Sequence, residues 1–328
     1  MKLTEQEKCI YGNSVQVVAR EDDCTIYTRE DETGTARMTC YRVFPGIDLV
    51  YNDIHMQSSG MKPAMHGNFL EINHCREGRA ECECGDQFYY ITAGDLSIQQ
   101  RKDCSHASYY PLSHYHGISI LIDADHSPMC LSCFLKDVNV QPTTLIQKFC
   151  KNEAGYVVRS QPRLTHIFSE LYTVPESIRK GYFKVKILEL LLFLSSMSLD
   201  DDMVRERSYS GNQVTLAKDA GRYLAQHMDR RVTIDELAEQ FYVSPTQLKN
   251  SFKGVYGVSI YAYTRSQKMQ AAACALRQTD DTVMQIAGRY GYENPSKFAK
   301  AFKDVLGVTP NEYRNTSERN VRLEQEML

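Results

Sequence analysis

Residues 243–253 read VSPTQLKNSFK, and residues 292–303 read YENPSKFAKAFK. In both stretches a good helix-capping residue, Ser244 or Asn294, stands directly before a proline. Proline is well tolerated at the first helical position, because the N–H group that it lacks would have no partner within the helix. Each stretch therefore predicts the start of a short helix, and the chain repeats this start about fifty residues later.

The similarity between the two stretches extends beyond their caps. Ala238 matches Ala287 upstream at a spacing of forty-nine residues, so the second unit has one extra residue in its turn. The matching positions in the helices are Pro245, Leu248, Phe252, Lys253 and Gly257 in the first unit, and Pro295, Phe298, Phe302, Lys303 and Gly307 in the second. Each unit is predicted to be a helix-turn-helix.

Another capped helix precedes each quoted stretch, and a long helix is predicted between the two units. Residues 260–277 contain no Gly or Pro and are predicted to form that connecting helix. Two helices held about 34 Å apart can enter successive major grooves of one DNA duplex. The capping-box spacing that starts the preceding helices occurs in the pairs Thr233/Glu236 and Thr282/Gln285.

The apolar positions of the two second helices predict which side chains face outward. Leu248 and Phe252, like Phe298 and Phe302, are separated by four residues and so share the inward face. Amides, hydroxyls and lysines on the opposite face can contact bases or phosphates. The predicted DNA-binding residues are Thr246, Gln247, Lys249, Asn250, Lys253, Ser296, Lys297, Lys300 and Lys303.

The region 213–314 resembles the DNA-binding domain of the AraC/XylS family of bacterial transcription regulators. The resemblance is carried by IAGRYGYENPSKFAKAFKDVLGVTPNEYR (286–314). The first turn departs from it because Tyr242 and Val243 fill this turn, where such turns often have Gly, and we expect tighter side-chain packing there. The family implies an effector-responsive regulator, more often an activator, that binds promoter DNA and contacts RNA polymerase. It also implies base-reading positions at Thr246, Lys249, Asn250, Ser296, Lys297 and Lys300.

The net charge of −3 is unevenly distributed along the chain. Residues 212–314 contain 14 Lys and Arg and 10 Asp and Glu, whereas the remainder has an excess of acidic residues. A basic C-terminal part favours nucleic acid as a partner. The N-terminus lacks the apolar run of a signal peptide, and the most apolar segment, 187–197, is too short to span a bilayer. We expect a cytoplasmic protein with no membrane contact.

The N-terminal half predicts closely spaced strands over residues 35–140, and therefore an antiparallel barrel or sandwich. CREGRAEC (75–82) is interpreted as a hairpin with its tip at Glu77-Gly78, and Gly94-Asp95 as a turn. The segment 67–98 resembles the cupin-like sensor barrel of AraC/XylS regulators, which implies a bound small-molecule effector.

The predicted fold class is α+β: a cupin-like antiparallel β-barrel with a helical dimerisation segment, then an all-α domain with two helix-turn-helix units. An apolar helical stripe in the segment 183–197 predicts a homodimer, as the family also implies. Its residues are Phe183, Ile187, Leu190, Leu191 and Leu194. The predicted domains are a sensor (1–158), a dimerisation segment (159–199), a linker (200–212), a DNA-binding domain (213–314) and a tail (315–328).

His114 and His116 share one face of a predicted strand and are the candidate effector-binding residues. A cupin metal centre would require a Glu shortly after such a pair, and none follows, so we expect no metal, no cofactor and no catalytic activity. The alternative is a cupin-type metal enzyme, or a thiol or metal sensor, fused to the DNA-binding domain. Its candidate ligands are the pairs Cys82/Cys84 and Cys130/Cys133, although zinc needs four ligands.

Overall fold

The computed structural model describes residues 1–58, 68–84, 87–101, 108–128, 141–150, 156–198 and 208–316. The chain forms two compact units, Met1–Ser210 and Gly211–Leu328. Cys130 and Cys133 lie outside the described residues, as do most of the predicted linker and tail. No helix among the described residues is both long enough and apolar enough to cross a membrane.

The N-terminal unit is built on an antiparallel sheet, as predicted from its closely spaced strands. Its order is β1-β2-β3-β4-β8-β5-β6-β10, and β7 pairs with both β5 and β9. The strands are β1 (Gln16–Arg20), β2 (Cys24–Asp31), β3 (Gly34–Phe44), β4 (Ile47–Met56), β5 (Phe69–Cys84), β6 (Gln87–Thr92), β7 (Leu96–Arg101), β8 (Tyr115–Asp123), β9 (Tyr156–Val158) and β10 (Tyr209–Ser210).

The predicted hairpin at Glu77-Gly78 is wrong, because these residues lie inside the single strand β5. The first part of β5 pairs with β7 and β8, and the part after Gly78 pairs with β6. The pairing with β8 shifts register between Cys75 and Glu77, and Gly78 has a φ of 86°. The glycine therefore marks a β-bulge rather than a chain reversal. The predicted turn at Gly94-Asp95 does connect β6 and β7.

Four helices accompany the sheet: α1 (Glu5–Tyr11), α2 (Pro142–Phe149), α3 (Pro162–Tyr172) and α4 (Arg179–Ser196). Helices α2 to α4 pack on one face of the sheet, where alternate residues of the strands, such as Leu49 and Ile120, join the largest core cluster. We call this the helix-covered face. Helices α2 to α4 thus cover one face of the sheet and not the other.

The five α4 residues predicted to form a dimer interface are buried within this one chain, with 0–2% of their surface exposed. They belong to the core cluster between α4 and the sheet, so a second chain cannot reach them without unfolding this helix. These residues are Phe183, Ile187, Leu190, Leu191 and Leu194. Dimerisation itself stays a prediction, and another face of α4 would have to provide the contacts.

The C-terminal unit is helical throughout its described length. Its helices include α5 (Gly211–Gln226), α6 (Ile234–Gln240), α7 (Pro245–Tyr256), α8 (Ile260–Gln278), α9 (Val283–Arg289) and α10 (Pro295–Leu306), and residues 310–316 are helical too. The long connecting helix predicted over 260–277 is α8, within one residue at its end. Residues 209–212 belong to β10 and α5, so secondary structure replaces the predicted linker at that end.

Candidate nucleic-acid interface

Helices α7 and α10 begin and end in the same way. Ser244 accepts a hydrogen bond from the N–H of Gln247 at the start of α7, and Asn294 accepts from Ser296 and Lys297 at the start of α10. Both helices have proline at the first position. Both end at a glycine in the left-handed conformation, Gly257 and Gly307. Their twelve-residue lengths are therefore set by local sequence at both ends.

The exposure of α7 and α10 follows the predicted pattern. Leu248, Phe252, Phe298 and Phe302 are completely buried and hold the helices against their neighbours. All nine residues predicted to contact DNA are exposed, in the first helix Thr246, Gln247, Lys249, Asn250 and Lys253, and in the second Ser296, Lys297, Lys300 and Lys303. The structure thus presents two polar helix faces, the second with three lysines. Contact with DNA at these positions stays a prediction.

The two preceding helices are capped differently, although their sequences predict the same capping box. Thr282 and Gln285 form both hydrogen bonds of the box. Thr233 accepts from the N–H of Glu236, but the Glu236 carboxylate binds the Arg230 guanidinium instead of the cap. Hydrogen bonds from Arg230 lower the pKa of Glu236 to about 2. The first unit therefore forms only one of the two capping-box hydrogen bonds, and its Glu236 carboxylate forms an ion pair with Arg230 of the α5–α6 loop.

The turns of the two units also differ, but the expected tighter packing in the first turn is wrong for Tyr242, which does not pack into it. Tyr242 has a φ of 53° and its side chain is 95% exposed, whereas the second turn has Gly291 at a φ of 75°. A Cβ atom on residue 291 would lie 2.7 Å from the carbonyl oxygen of Asp229. Glycine is required in the second turn by close packing, while the first turn tolerates a side chain that points to solvent.

Helix α8 joins the two helix-turn-helix units through a buried cation. The Lys268 Nζ donates to the carbonyl oxygen of Arg230 at 2.9 Å and to that of Tyr290 at 3.0 Å. Arg230 lies in the loop before the first unit, and Tyr290 ends α9 in the second. Burial lowers the pKa of Lys268. The same α5–α6 loop also packs against the second turn, where a Cβ at Gly291 would lie 2.7 Å from the carbonyl oxygen of Asp229.

The N-terminal unit contains a second polar arrangement, on the sheet face opposite the helices α2 to α4. The Asn73 Oδ1 accepts hydrogen bonds from the Tyr115 hydroxyl at 2.8 Å and from the Ser119 hydroxyl at 3.0 Å. The Ser119 oxygen accepts from Asn52 at 2.7 Å. Sequence reasoning missed this network because its members come from three different strands, β4, β5 and β8.

A further group of polar residues continues along the same face. Glu71, which is buried, accepts a hydrogen bond from Gln99 at 3.0 Å and forms an ion pair with Arg101 at 3.3 Å. The two residues that pair with Glu71 lie on the neighbouring strand β7. We call the set Asn52, Glu71, Asn73, Ser97, Gln99, Arg101, Tyr115 and Ser119 the polar row. Four members of the polar row are buried and the other four are half-buried, so this sheet face combines donors and acceptors with partial access from solvent.

The candidate effector residues His114 and His116 do not belong to the polar row. Strand alternation places them on the other face, beside His55 of β4. Burial, and then the neighbouring His116 and His55, lower the pKa of His114. Cys82 is buried, and the side chains of Cys84, Cys130 and Cys133 are not among those described.

Comparison with known proteins places these observations in a family. A model described as a helix-turn-helix domain matches residues 237–316. YisR of Bacillus subtilis, an uncharacterized HTH-type transcriptional regulator, is 31% identical over 134 residues, which are 41% of this chain and 44% of YisR. YdiP of Escherichia coli K12, also an uncharacterized HTH-type transcriptional regulator, is 32% identical over 269 residues, which are 80% of this chain and 84% of YdiP.

A solved structure is also similar to this chain. It is the C-terminal domain of AraT, a response regulator from Geobacillus stearothermophilus, with 33% identity and a TM-score of 0.30. The similarity covers 31% of this chain and 84% of that one.

Two capped helix-turn-helix units on a common connecting helix define a DNA-binding transcription regulator. The similarity to YdiP extends over most of both chains. The chain belongs to the AraC/XylS family, and the prediction made from residues 286–314 is confirmed.

Replacing Lys268 by Met should loosen the coupling of the two units. The substitution keeps the length of the side chain but leaves two carbonyl groups without their donor, so the C-terminal unit should lose about 2 kcal/mol of stability. Urea denaturation of the full chain, followed by circular dichroism, measures this change. Lys297→Met is the matched control, because Lys297 is exposed and should change stability by less than about 0.5 kcal/mol. Equal effects from both variants would contradict a coupling role for Lys268.

Proposed function

We propose that this chain regulates transcription by inserting α7 and α10 into successive major grooves on one side of promoter DNA. The observation that carries the proposal is the repetition of one cap, one buried apolar face and one exposed polar face in two helices of a single compact unit. Exposed amides, hydroxyls and lysines at the start of a helix are suited to base edges and phosphates. An activator of this kind would also contact RNA polymerase.

Substitutions in both helices should weaken binding to the same DNA site. Asn250→Ala in α7 and Lys300→Ala in α10 should each cost about 1–3 kcal/mol if the side chain contacts a base. The measurement is fluorescence anisotropy on a duplex selected from a random pool by the full chain. Lys303→Ala should reduce the slope of log affinity against log salt concentration by about 1 if Lys303 contacts a phosphate.

Lys184→Ala, an exposed lysine of α4, is the control for loss of one positive charge. Its affinity should match that of the unaltered chain. If only the variants of one helix weaken binding, the two-helix proposal fails, and that helix alone reads the DNA.

We propose that the N-terminal unit binds a small polar effector at the polar row. Glu71, Asn73 and Arg101 provide acceptors and donors on one sheet face, which a ligand with both kinds of group could use. The effector would alter DNA binding only by preferring one state of the protein over another. An interior ligand of this kind agrees with what the cupin-like resemblance implies.

A thermal-shift screen of polar metabolites tests the effector proposal. A ligand at 100 times its dissociation constant should stabilise the unaltered chain by about 2.7 kcal/mol. Asn73→Ala should abolish that shift, because it removes the acceptor shared by Tyr115 and Ser119. Asn52→Ala, at the edge of the network, should reduce the shift less. A ligand whose shift is the same in Asn73→Ala binds elsewhere and would contradict the assignment.

We propose that two copies of the chain associate through the exposed face of α4. Val185 is 60% exposed, and Leu188 and Leu192 are partly exposed at spacings of three and four residues. Val185 and Leu188 lie on the side of the helix that faces away from the core, and Leu192, which also packs against the core, borders them. A twofold contact through these residues would double the DNA contacts of the assembly.

Val185→Glu should convert the proposed dimer to a monomer, because a carboxylate would be brought against its symmetry mate. Analytical ultracentrifugation of the full chain measures the change. Lys184→Glu places the same carboxylate one residue away on the helix and serves as the control. A dimer that persists in Val185→Glu would show that α4 does not form the interface.

A further inference from the structure

Three histidines converge on the helix-covered face of the sheet: His55 of β4, His116 of β8 and His114, which directly precedes β8. Strands β4 and β8 pair antiparallel with Asp53 opposite His116. Because side chains alternate along a strand, His55 falls on the same face as Asp53, and His114 on the same face as His116. One ring nitrogen from each of the three imidazoles lies within 4.8 Å of the others. The pairing of two strands that are distant in sequence therefore builds the cluster.

The side chains of this cluster are close enough to become ligands of one tetrahedral metal ion after small adjustments of their rings. The Nε2 atoms of His55 and His116 are 3.4 Å apart, and each lies 2.9 Å from the Oδ1 of Asp53. Zinc–nitrogen bonds of about 2.0–2.1 Å at tetrahedral angles place neighbouring ligand atoms about 3.3 Å apart. His114 approaches the other ring nitrogen of His55: their Nδ1 atoms are 3.5 Å apart, whereas the His55 nitrogen nearest Asp53 and His116 is Nε2. Two imidazoles and a carboxylate are thus already at coordinating separation, and the third imidazole is adjacent.

The backbone around His114 is held in place by close packing. Gly78, at the bulge of β5, approaches the carbonyl oxygen of His114 so closely that a Cβ at position 78 would lie 2.0 Å from it. Ser113, directly before His114, has a φ of 53° and donates its N–H to the carbonyl oxygen of Tyr110 at 2.9 Å. A left-handed residue next to a cluster of polar side chains is typical of a functional site.

The carboxylate of Glu77 lies next to His114 of the cluster. The Oε2 of Glu77 lies 3.7 Å from the Nε2 of His114. Histidines that bind metal commonly direct their other ring N–H to such a carboxylate, which fixes the ring and makes the coordinating nitrogen more basic. The side chains of His55, His114 and His116 are 32–51% exposed, so an ion can reach them from solvent.

We propose that His55, His114 and His116, together with the Asp53 carboxylate, bind one divalent transition-metal ion of the zinc class. Three imidazoles and one carboxylate are a donor set suited to zinc and unsuited to magnesium or calcium, which take oxygen ligands. The site is distinct from the polar row, since it lies on the opposite face of the sheet. It contrasts with the expectation of no metal, which considered His114 and His116 without the third histidine of β4.

Cobalt titration of the full chain, after removal of metals with a chelator, tests the proposal. Cobalt bound to imidazole and carboxylate ligands in tetrahedral geometry should produce visible ligand-field bands at one equivalent, and zinc should displace it. His55→Ala and His116→Ala should each weaken cobalt and zinc binding at least tenfold. His166→Ala, an exposed histidine of α3 outside the cluster, should leave the affinity unchanged.

Three results would overturn the proposal: no tetrahedral cobalt spectrum, unchanged affinity in His55→Ala and His116→Ala, or thiolate-to-cobalt charge transfer, which would assign the ion to cysteines. His55→Gln, with a neutral polar side chain, is the second variant if His55→Ala fails to fold, and folding is checked by circular dichroism. The readout is the metal alone, so a negative result would leave the DNA-binding proposal standing.

Discussion

The C-terminal unit depends on one buried ammonium group. Lys268, in the middle of α8, donates to main-chain carbonyls in the loop before the first helix-turn-helix and in the turn of the second. Helix α8 alone would fix only the distance between the two helix-turn-helix units. The hydrogen bonds of Lys268 also restrict the rotation of each unit about the axis of α8. Main-chain acceptors make this arrangement independent of the side chains at positions 230 and 290, which remain free to take other partners. Arg230 uses that freedom to bind Glu236.

Strands of the N-terminal sheet contribute residues to the core under the helices, to the polar row and to the histidine cluster. Even and odd positions of β4, β5 and β8 point to opposite faces, so one strand can contribute Leu49 to the core under the helices and Asn52 to the polar row. Farther along β4, the helix-covered face changes from apolar residues to Asp53 and His55. Each proposed activity of this unit, effector binding and metal binding, therefore rests on the pairing register of the same strands.

Features set by neighbouring residues were predictable from the sequence, and features set by strand pairing were not. The caps at Ser244 and Asn294, the uninterrupted helix α8 and the exposed faces of α7 and α10 all follow from spacing within a few residues. The hairpin at Gly78 was wrong because a glycine with positive φ suits both a reversal and a bulge. His55 was missed because its pairing with β8 crosses about sixty residues of sequence, and the α4 stripe was assigned to a partner although the sheet of its own chain covers it.

The glycine of the second turn makes the duplicated halves of the DNA-binding unit non-interchangeable. Gly291 fits against the Asp229 carbonyl with no room for a Cβ, whereas Tyr242 occupies the equivalent bend of the first half and projects into solvent. A chimera with two copies of the second turn would fold without a clash, but one with two copies of the first would force a tyrosine into main-chain atoms. The first bend therefore accommodates a side chain at a φ of 53°, whereas packing restricts the second bend to glycine.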